Sequence, residues 1–398
     1  MVSTVVSFLR HLGRVVCLSL RVHCLFSKVT KIKMTLSRFK GSLVGAVVAD
    51  CIGSLFEGYS PVSLSSVLES ASNLEKNRQI QREHGTRPAD TYGLRFTDDT
   101  AMARSVAASL LHNKTFDAKD MAKRFTDEYH KEPDRGYGFN VVTVFEGLRN
   151  PKLKDVYEPA RVQFEGSGSY GNGGAMRIAP ASLFAFATDK SSELQDLASD
   201  VTRLTHTNAL GVHGAILEAF AVDQSLRLEP ETAVDAGAFI DFLLEKMKKI
   251  ETIDADISPK SFSAKGRKRK LDCHPTPYTA KLERIKELIN EDSLDTRAVV
   301  EEIGNDVSAL GSVPTAILVF LRAATKSIPG LEDKNKFEQT VLYAISLGGD
   351  TDTIATMAAA IAGALYGVEQ IPEAWQYYCE GVADAEIMAE RLYKLKAL

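Results

Sequence analysis

Cysteines are few in this sequence and form no pattern. Cys17, Cys24, Cys51, Cys273 and Cys379 are scattered over the chain. That spacing excludes a disulfide framework and a zinc-ligand cluster, and it fits a reducing compartment. No apolar run spans a bilayer without an interrupting charge, so no membrane partner is expected. Alternating apolar and polar runs are rare, and none flanks a convincing hairpin turn. A formal net charge of -4 gives no reason to expect a nucleic-acid duplex as partner. Acidic residues are missing altogether before Asp50, while Arg10, Arg14, Arg21, Lys28, Lys31 and Lys33 precede it. Val5, Phe8, Leu9 and Leu12 share one helical face, with Arg10 and Arg14 on another. Residues 1–33 therefore read as a mitochondrial transit peptide or an N-terminal extension. A secretory signal, and a working start at Met34, are the competing readings.

Helical periodicity is what the chain does have. Leu36, Phe39, Leu43, Val44, Val47 and Val48 follow the i, i+3, i+4 spacing, and similar stripes recur at 101–112, 208–222, 313–325, 353–366 and 384–395. With 44% hydrophobic and 25% charged residues, this predicts one compact all-α domain of many helices over 34–398. Two polar stretches read as loops. One is 72–95, with Gly85 and Pro88. The other is 255–277, which carries the basic run Lys265-Gly-Arg-Lys-Arg-Lys270. That run is either a nuclear address or a solvated loop.

Two short motifs carry chemistry. Thr97-Asp98-Asp99-Thr100 and Gly348-Gly349-Asp350-Thr351-Asp352-Thr353 each stand directly before a helical stripe. One Asp or Thr suffices to cap a helix, for about 1 kcal/mol. Here each helix start has two of each. If both starts converge, four carboxylates share one site. At about 4 Å and an effective dielectric near 20, each like-charged pair repels by about 4 kcal/mol. A cation must then hold them. Oxygen donors without His or Cys favour Mg²⁺, Mn²⁺ or Ca²⁺ over zinc, and two divalent ions balance four carboxylates.

Residues 166–174, Gly-Ser-Gly-Ser-Tyr-Gly-Asn-Gly-Gly, precede another apolar stripe. Such a segment can turn several N–H groups toward a phosphate. It lacks the Gly-Lys-Ser/Thr ending of a P-loop, and it could equally be a flexible linker. Phe164 and Tyr170 flank it and could sandwich an aromatic base, or serve the core. His206, in Thr205-His206-Thr207-Asn208, could cap the next helix or meet a ligand.

Taken in order, these motifs resemble the ADP-ribosylglycohydrolase family. The similarity includes the opening Gly41-Ser-Leu-Val-Gly45-Ala-Val-Val-Ala-Asp50-Cys-Ile-Gly53-Ser-Leu-Phe-Glu57 and covers about residues 35–390. Within the family, Asp134-Arg135-Gly136-Tyr137-Gly138 and Gly168–Arg177 look most like the vertebrate ADP-ribosylserine hydrolases. The resemblance implies an all-α fold around a cleft with two Mg²⁺ ions. It makes Thr97, Asp98, Asp99, Asp350, Asp352 and Thr353 the metal ligands. Glu57 becomes the catalytic glutamate on a mobile flap, and Asp98 or Asp99 can share its work. Phe164, Ser167, Gly168, Ser169, Tyr170, Gly171, Asn172, Gly173 and His206 become the ADP-ribose contacts, with Leu271 and Val307 lining the cleft. Implied substrates are ADP-ribosylserine on proteins, ADP-ribose polymers and O-acetyl-ADP-ribose. A monomer distributed over mitochondrial matrix, nucleus and cytoplasm, with a role in the response to DNA damage, is implied as well. Two departures stand out: Cys51 replaces an alanine usual in the wider family, and 255–270 is longer and more basic. Two other functions fit parts of the pattern. One is a non-catalytic ADP-ribose binder. The other is a haloacid-dehalogenase-type phosphatase, which Asp350-Thr-Asp352-Thr-Ile354 alone would permit in an α/β sheet.

Overall fold

The apolar i, i+3, i+4 stripes become helices. The structure, a computed structural model, describes residues 36–60, 62–84, 93–230, 232–253 and 269–397. Among them there is no strand, only the isolated bridges Leu94–Cys379 and Gly171–Ser308. The expected presequence and most of the basic run at 265–270 lie outside the described residues. The described residues begin with α1 (36–53), which continues into a short turn, Ser54–Phe56. Next come α2 (Leu64–His84), α3 (Asp98–Asn113), α4 (Ala118–Lys131), α5 (Phe139–Leu148) and the short α6 (Glu158–Arg161). The middle of the chain supplies α7 (Ala179–Ala187), α8 (Leu194–Arg203), α9 (Ala209–Arg227), α10 (Ala236–Ile253), α11 (Pro277–Leu288) and α12 (Thr296–Glu302). The last third supplies α13 (Ala309–Thr325), α14 (Lys336–Ser346), α15 (Thr351–Tyr366), α16 (Glu373–Tyr378) and α17 (Val382–Lys394).

α15 is the central helix. Every residue from Thr351 to Leu365 is buried, and the helix packs on α14, α13 and α9. Its small side chains also admit α1 at backbone distance. A Cβ on Gly363 would fall 2.0 Å from the carbonyl oxygen of Gly41, and one on Gly41 would fall 2.4 Å from that of Gly363. The stretch Leu36–Phe56 is long and apolar enough to cross a membrane by length and composition. It is instead a core helix, 72% of its most apolar window lying inside the protein.

The expected loop at 72–95 is corrected in its first half. Residues 64–84 form α2, which buries only Val67 and Ala71. A polar helix leaves no apolar stripe to read. Leu, Glu, Lys, Gln and Arg are nevertheless good helix formers, and no Gly or Pro interrupts them before Gly85. The helix is held laterally by Arg78, whose guanidinium donates to both carboxylate oxygens of Glu373 on α16 and lies 3.7 Å from the Tyr377 ring centre.

α13 carries Pro314, which cannot donate to the carbonyl of Leu310. The fully buried Lys281 of α11 takes over that oxygen at 2.7 Å, donates to the Ile303 carbonyl at 2.6 Å, and pairs with Asp272 at 2.7 Å. Burial lowers the Lys281 ammonium to about 8, with Asp272 acting in the opposite direction. Removing this cation leaves two carbonyls and a carboxylate without it. Lys281→Met is expected to lower unfolding free energy by about 3 kcal/mol, read by urea denaturation; an unchanged midpoint would refute this role for Lys281 in α13.

Candidate active site

Two helix starts form the floor of a cavity of about 250 Å³. At the first, Thr97 is the N-cap of α3, its Oγ1 accepting from the Asp99 N–H at 3.4 Å. The start is gripped from α1 by the buried Asp50. Its carboxylate accepts from the N–H of Thr97 at 3.0 and 3.1 Å, from the N–H of Thr100 at 3.1 Å and from Thr100 Oγ1 at 2.6 Å. From the other side the Asp98 N–H donates to the Arg135 carbonyl at 2.7 Å. Arg135 is itself immobilised: its guanidinium bonds the carboxylates of Glu132 and Glu380 and the Phe96 carbonyl, and covers the Phe96 ring at 3.8 Å.

At the second start, Gly348 and Gly349 take φ of 68° and 77°, which favours glycine. The turn lets the Asp350 N–H donate to the Asn305 carbonyl at 2.9 Å. It also ties down the segment that follows Glu57. The Gly58 N–H donates to the Gly349 carbonyl, and the Gly349 N–H to the Tyr59 carbonyl, both at 2.9 Å. Thr351 Oγ1 donates to the Gly53 carbonyl at 2.8 Å, and Gly53 has no side chain because a Cβ would lie 2.6 Å from the Asp352 Cα.

The two starts touch. Thr353 Oγ1 donates to Asp99 Oδ1 at 3.3 Å, across 254 residues of sequence. One carboxylate oxygen each from Glu57, Asp350 and Asp352 lies within 4.8 Å of the others. Asp98 and Asp99 line the same cavity. Thr97 is not on the cavity wall, where Thr353 is.

This much acid in one confined place raises every member. Burial, and after it Asp50 and Asp350, push Asp98 up to about 8. Burial, then Asp350 and Glu57, push Asp352 up to about 10. Asp99 is driven well above its ordinary value by burial and by Asp352, and Asp350 and Glu57 are raised, chiefly by burial. Asp99 Oδ2 is buried with no hydrogen-bond partner. All-oxygen donors, mutual repulsion and an orphaned carboxylate oxygen together fit a hard divalent cation.

The glycine-rich segment forms an adjoining wall. Ser169, Gly171, Asn172, Gly173, His206 and Val307 line the cavity. The Asn172 N–H donates to the Val307 carbonyl and the Ala309 N–H to the Tyr170 carbonyl, both at 3.0 Å, which fixes this segment to the start of α13. Asn172 Nδ2 reaches Asp350 Oδ2 at 2.5 Å, joining this wall to the floor. Gly173 cannot be larger, since a Cβ would lie 2.7 Å from His206 Cε1. Phe164, Ser167, Gly168 and Tyr170 are outside that wall, beside its members Gln163 and Ser169. The rings of Phe164 and Tyr170 stand 6.2 Å apart at 41°. Phe164 and Glu165 hold positive φ, 49° and 57°, an uncommon backbone conformation for non-glycine residues that turns the chain just before the glycine-rich segment. Leu271 is not brought to the cavity. It sits in the turn Leu271–Cys273 and packs on the core.

Several residues that matter here carry no local signal. Asp50 lies within an apolar helical stripe, and only its place at a core position hints at a task. Arg135, Tyr137 and Arg177 stand in motifs that resemble the family, and only the structure puts Tyr137 and Arg177 on the cavity wall and the Arg135 carbonyl on the Asp98 N–H. The Asp50 grip is testable. Asp50→Ala strands three buried donors, so unfolding free energy should fall by about 3 kcal/mol, and Mn²⁺ affinity by about tenfold or more. Urea unfolding and calorimetry with Mn²⁺ would measure both; wild-type values would show that Asp50 does not hold the start of α3.

The comparisons with known proteins agree with this geometry. The family model described as ADP-ribosylglycohydrolase matches residues 32–398. The human protein named ADP-ribosylhydrolase ARH3 is 45% identical over 362 residues, covering 91% of this chain and 94% of its own. The zebrafish (Danio rerio) protein of the same name is 44% identical over 369 residues, covering 92% of each. A solved structure described as an ADP-ribosylglycohydrolase-related protein complex superposes with a TM-score of 0.58 at 23% identity, covering 92% of this chain and 99% of that one, which bears on the fold alone. On the matched family model and these near full-length relatives, the chain belongs to the ADP-ribosylglycohydrolase family and is a glycosidase-type hydrolase.

Proposed function

We propose that this chain is a Mg²⁺-dependent ADP-ribosyl hydrolase that releases ADP-ribose from serine side chains of proteins, with poly(ADP-ribose) and O-acetyl-ADP-ribose as further substrates. The observation that carries the reading is the contact between the two aspartate-bearing helix starts, with Glu57 beside them and the glycine-rich wall adjoining. The vertebrate relatives named ADP-ribosylhydrolase ARH3 support the substrate class. Residues 34–398 then act as one catalytic unit. The acid-poor stretch 1–33 supports a mitochondrial address, beside nucleus and cytoplasm.

Thr97, Asp98, Asp99, Asp350, Asp352 and Thr353 would hold two Mg²⁺ ions. When bound, the metal supplies Lewis-acid polarisation of ribose hydroxyls and water. The protein's own groups do the rest. The wall at 169–173 would bring its backbone to the diphosphate, held in place by Asn172, whose N–H and side-chain amide are engaged by Val307, Ser312 and Asp350. Phe164 and Tyr170 pack against each other beside that wall, 6.2 Å apart at 41°, and would part to stack on adenine. Binding these remote groups fixes the distal ribose over the carboxylates and lowers the entropy cost of reaching the transition state. Cleavage of the bond from ribose C1″ to the serine oxygen develops oxocarbenium character, so the leaving oxygen needs a proton and the water must lose one. Glu57 lines the cavity and is raised above its ordinary range by burial and by Asp350, so it is placed to move that proton.

A non-catalytic binder is the second reading. It would keep the glycine-rich wall but has no use for Glu57 beside the aspartates. The phosphatase reading needs a sheet, and the described residues hold no strand. Two measurements test the proposal. EDTA should abolish release of ADP-ribose from a serine-modified peptide and Mg²⁺ should restore it; turnover unaffected by chelation would overturn the metal role. Glu57→Gln should retain ADP-ribose binding within about threefold while turnover falls by about a hundredfold or more. Undiminished hydrolysis would take Glu57 out of the mechanism.

A further inference from the structure

Behind the glycine-rich wall lies a chain of buried polar groups that the mechanism above does not use. Arg177 is 1% exposed and lines the cavity, yet its guanidinium meets no carboxylate among the described residues. Its Nη2 donates to the Val201 carbonyl at 3.2 Å and to Thr205 Oγ1 at 2.7 Å, and the guanidinium carbon lies 4.6 Å from the centre of the Phe125 ring. Thr205 is fully buried, and its Oγ1 also stands 2.7 Å from His206 Nδ1.

One assignment of the hydrogens in this chain leaves no donor without a partner. A guanidinium can only donate, so Thr205 Oγ1 accepts from Arg177. The hydroxyl hydrogen then needs an acceptor. Among the described residues, the acceptor within hydrogen-bond distance of Thr205 Oγ1 is His206 Nδ1. A bare Nδ1 accepts it, whereas an Nδ1–H would leave the buried hydroxyl hydrogen without a partner among the described residues. His206 is 7% exposed and close to the positive Arg177, and these two influences hold it neutral, its imidazolium lowered to about 3. A neutral imidazole with a bare Nδ1 carries its proton on Nε2. Nε2 faces the glycine-rich segment: Cβ atoms at Gly173 and Gly171 would lie 3.0 and 3.3 Å from it.

We infer that Arg177 and Thr205 are positioning residues that lock His206 as the Nε2–H tautomer, making it a neutral donor to a phosphate oxygen of the ligand in this cavity. The inference rests on the ADP-ribose reading for the identity of the acceptor, and on the geometry alone for the tautomer. A neutral donor suits this place. It grips an anion without adding a mobile positive charge next to carboxylates that must hold metal ions, and it stays a donor across the physiological pH range.

The test uses the full chain with histidine ¹⁵N-labelled, in Mg²⁺. Long-range ¹⁵N–¹H correlation spectra of His206 should show Nε2–H and bare Nδ1, with no titration from about pH 5 to 8. In Thr205→Val the hydroxyl is gone, so the spectrum should shift toward Nδ1–H. ADP-ribose should bind about tenfold more weakly by calorimetry, the size of one lost hydrogen bond. Thr205→Ser should restore both. An Nδ1–H signal in the wild type, or a Thr205→Val variant with wild-type tautomer and affinity, would overturn the inference. If Thr205→Val does not fold, the wild-type and Thr205→Ser spectra still decide, since both must show Nε2–H. Wild-type protein with Nε2–H that binds no ADP-ribose would support the lock and sink the functional reading instead.

Discussion

Acidic side chains crowded into the lining of one cavity are the constraint around which this molecule is organised. Asp98, Asp99, Asp350 and Asp352 repel one another and are all raised by burial. They remain together because each helix start is fastened by groups that do not belong to the cluster. Asp50 and the Arg135 carbonyl fasten one, and the Asn305 carbonyl and the Gly348–Gly349 turn fasten the other. The strain is thus transferred from the site to the scaffold, where ordinary hydrogen bonds absorb it. A cation then finds oxygen donors already in position and does not need to gather them.

The scaffold explains why the helix that carries the second motif is so small-residued. Alanines and Gly363 let α1, α9, α13 and α14 surround α15 closely. Close packing of rigid helices is what permits a self-repelling site, because the surrounding core cannot relax to let the two helix starts move apart. Lys281 supports the same arrangement from the next layer of helices. It completes the helix that Pro314 interrupts and so steadies α13, to whose start the glycine-rich segment is attached.

The cavity divides its chemistry between its walls. The floor collects negative charge for a metal. The adjoining wall is neutral, a glycine-rich backbone joined to the floor through Asn172. Arg177, buried in the lining of the same cavity, supplies positive charge there, and its guanidinium is engaged in hydrogen bonds to Val201 and Thr205.

Local pattern was enough to establish an all-α chain, the two aspartate-bearing helix starts and the glycine-rich segment, because helical periodicity, capping chemistry and backbone freedom are properties of neighbouring residues. Polar α2 escaped for the same reason: it carries no stripe, and its helix is stabilised by partners such as Glu373 that are far away in sequence. Leu271 and Val307 looked alike as candidate lining residues, and only packing put Val307 on the wall and Leu271 on the core. The meeting of Thr353 with Asp99, the grip of Asp50 and the Arg177–Thr205–His206 chain are contacts between segments up to 254 residues apart. Residues separated in this way can be found together only after the chain has folded, since nothing in the spacing of either segment encodes the orientation of the other.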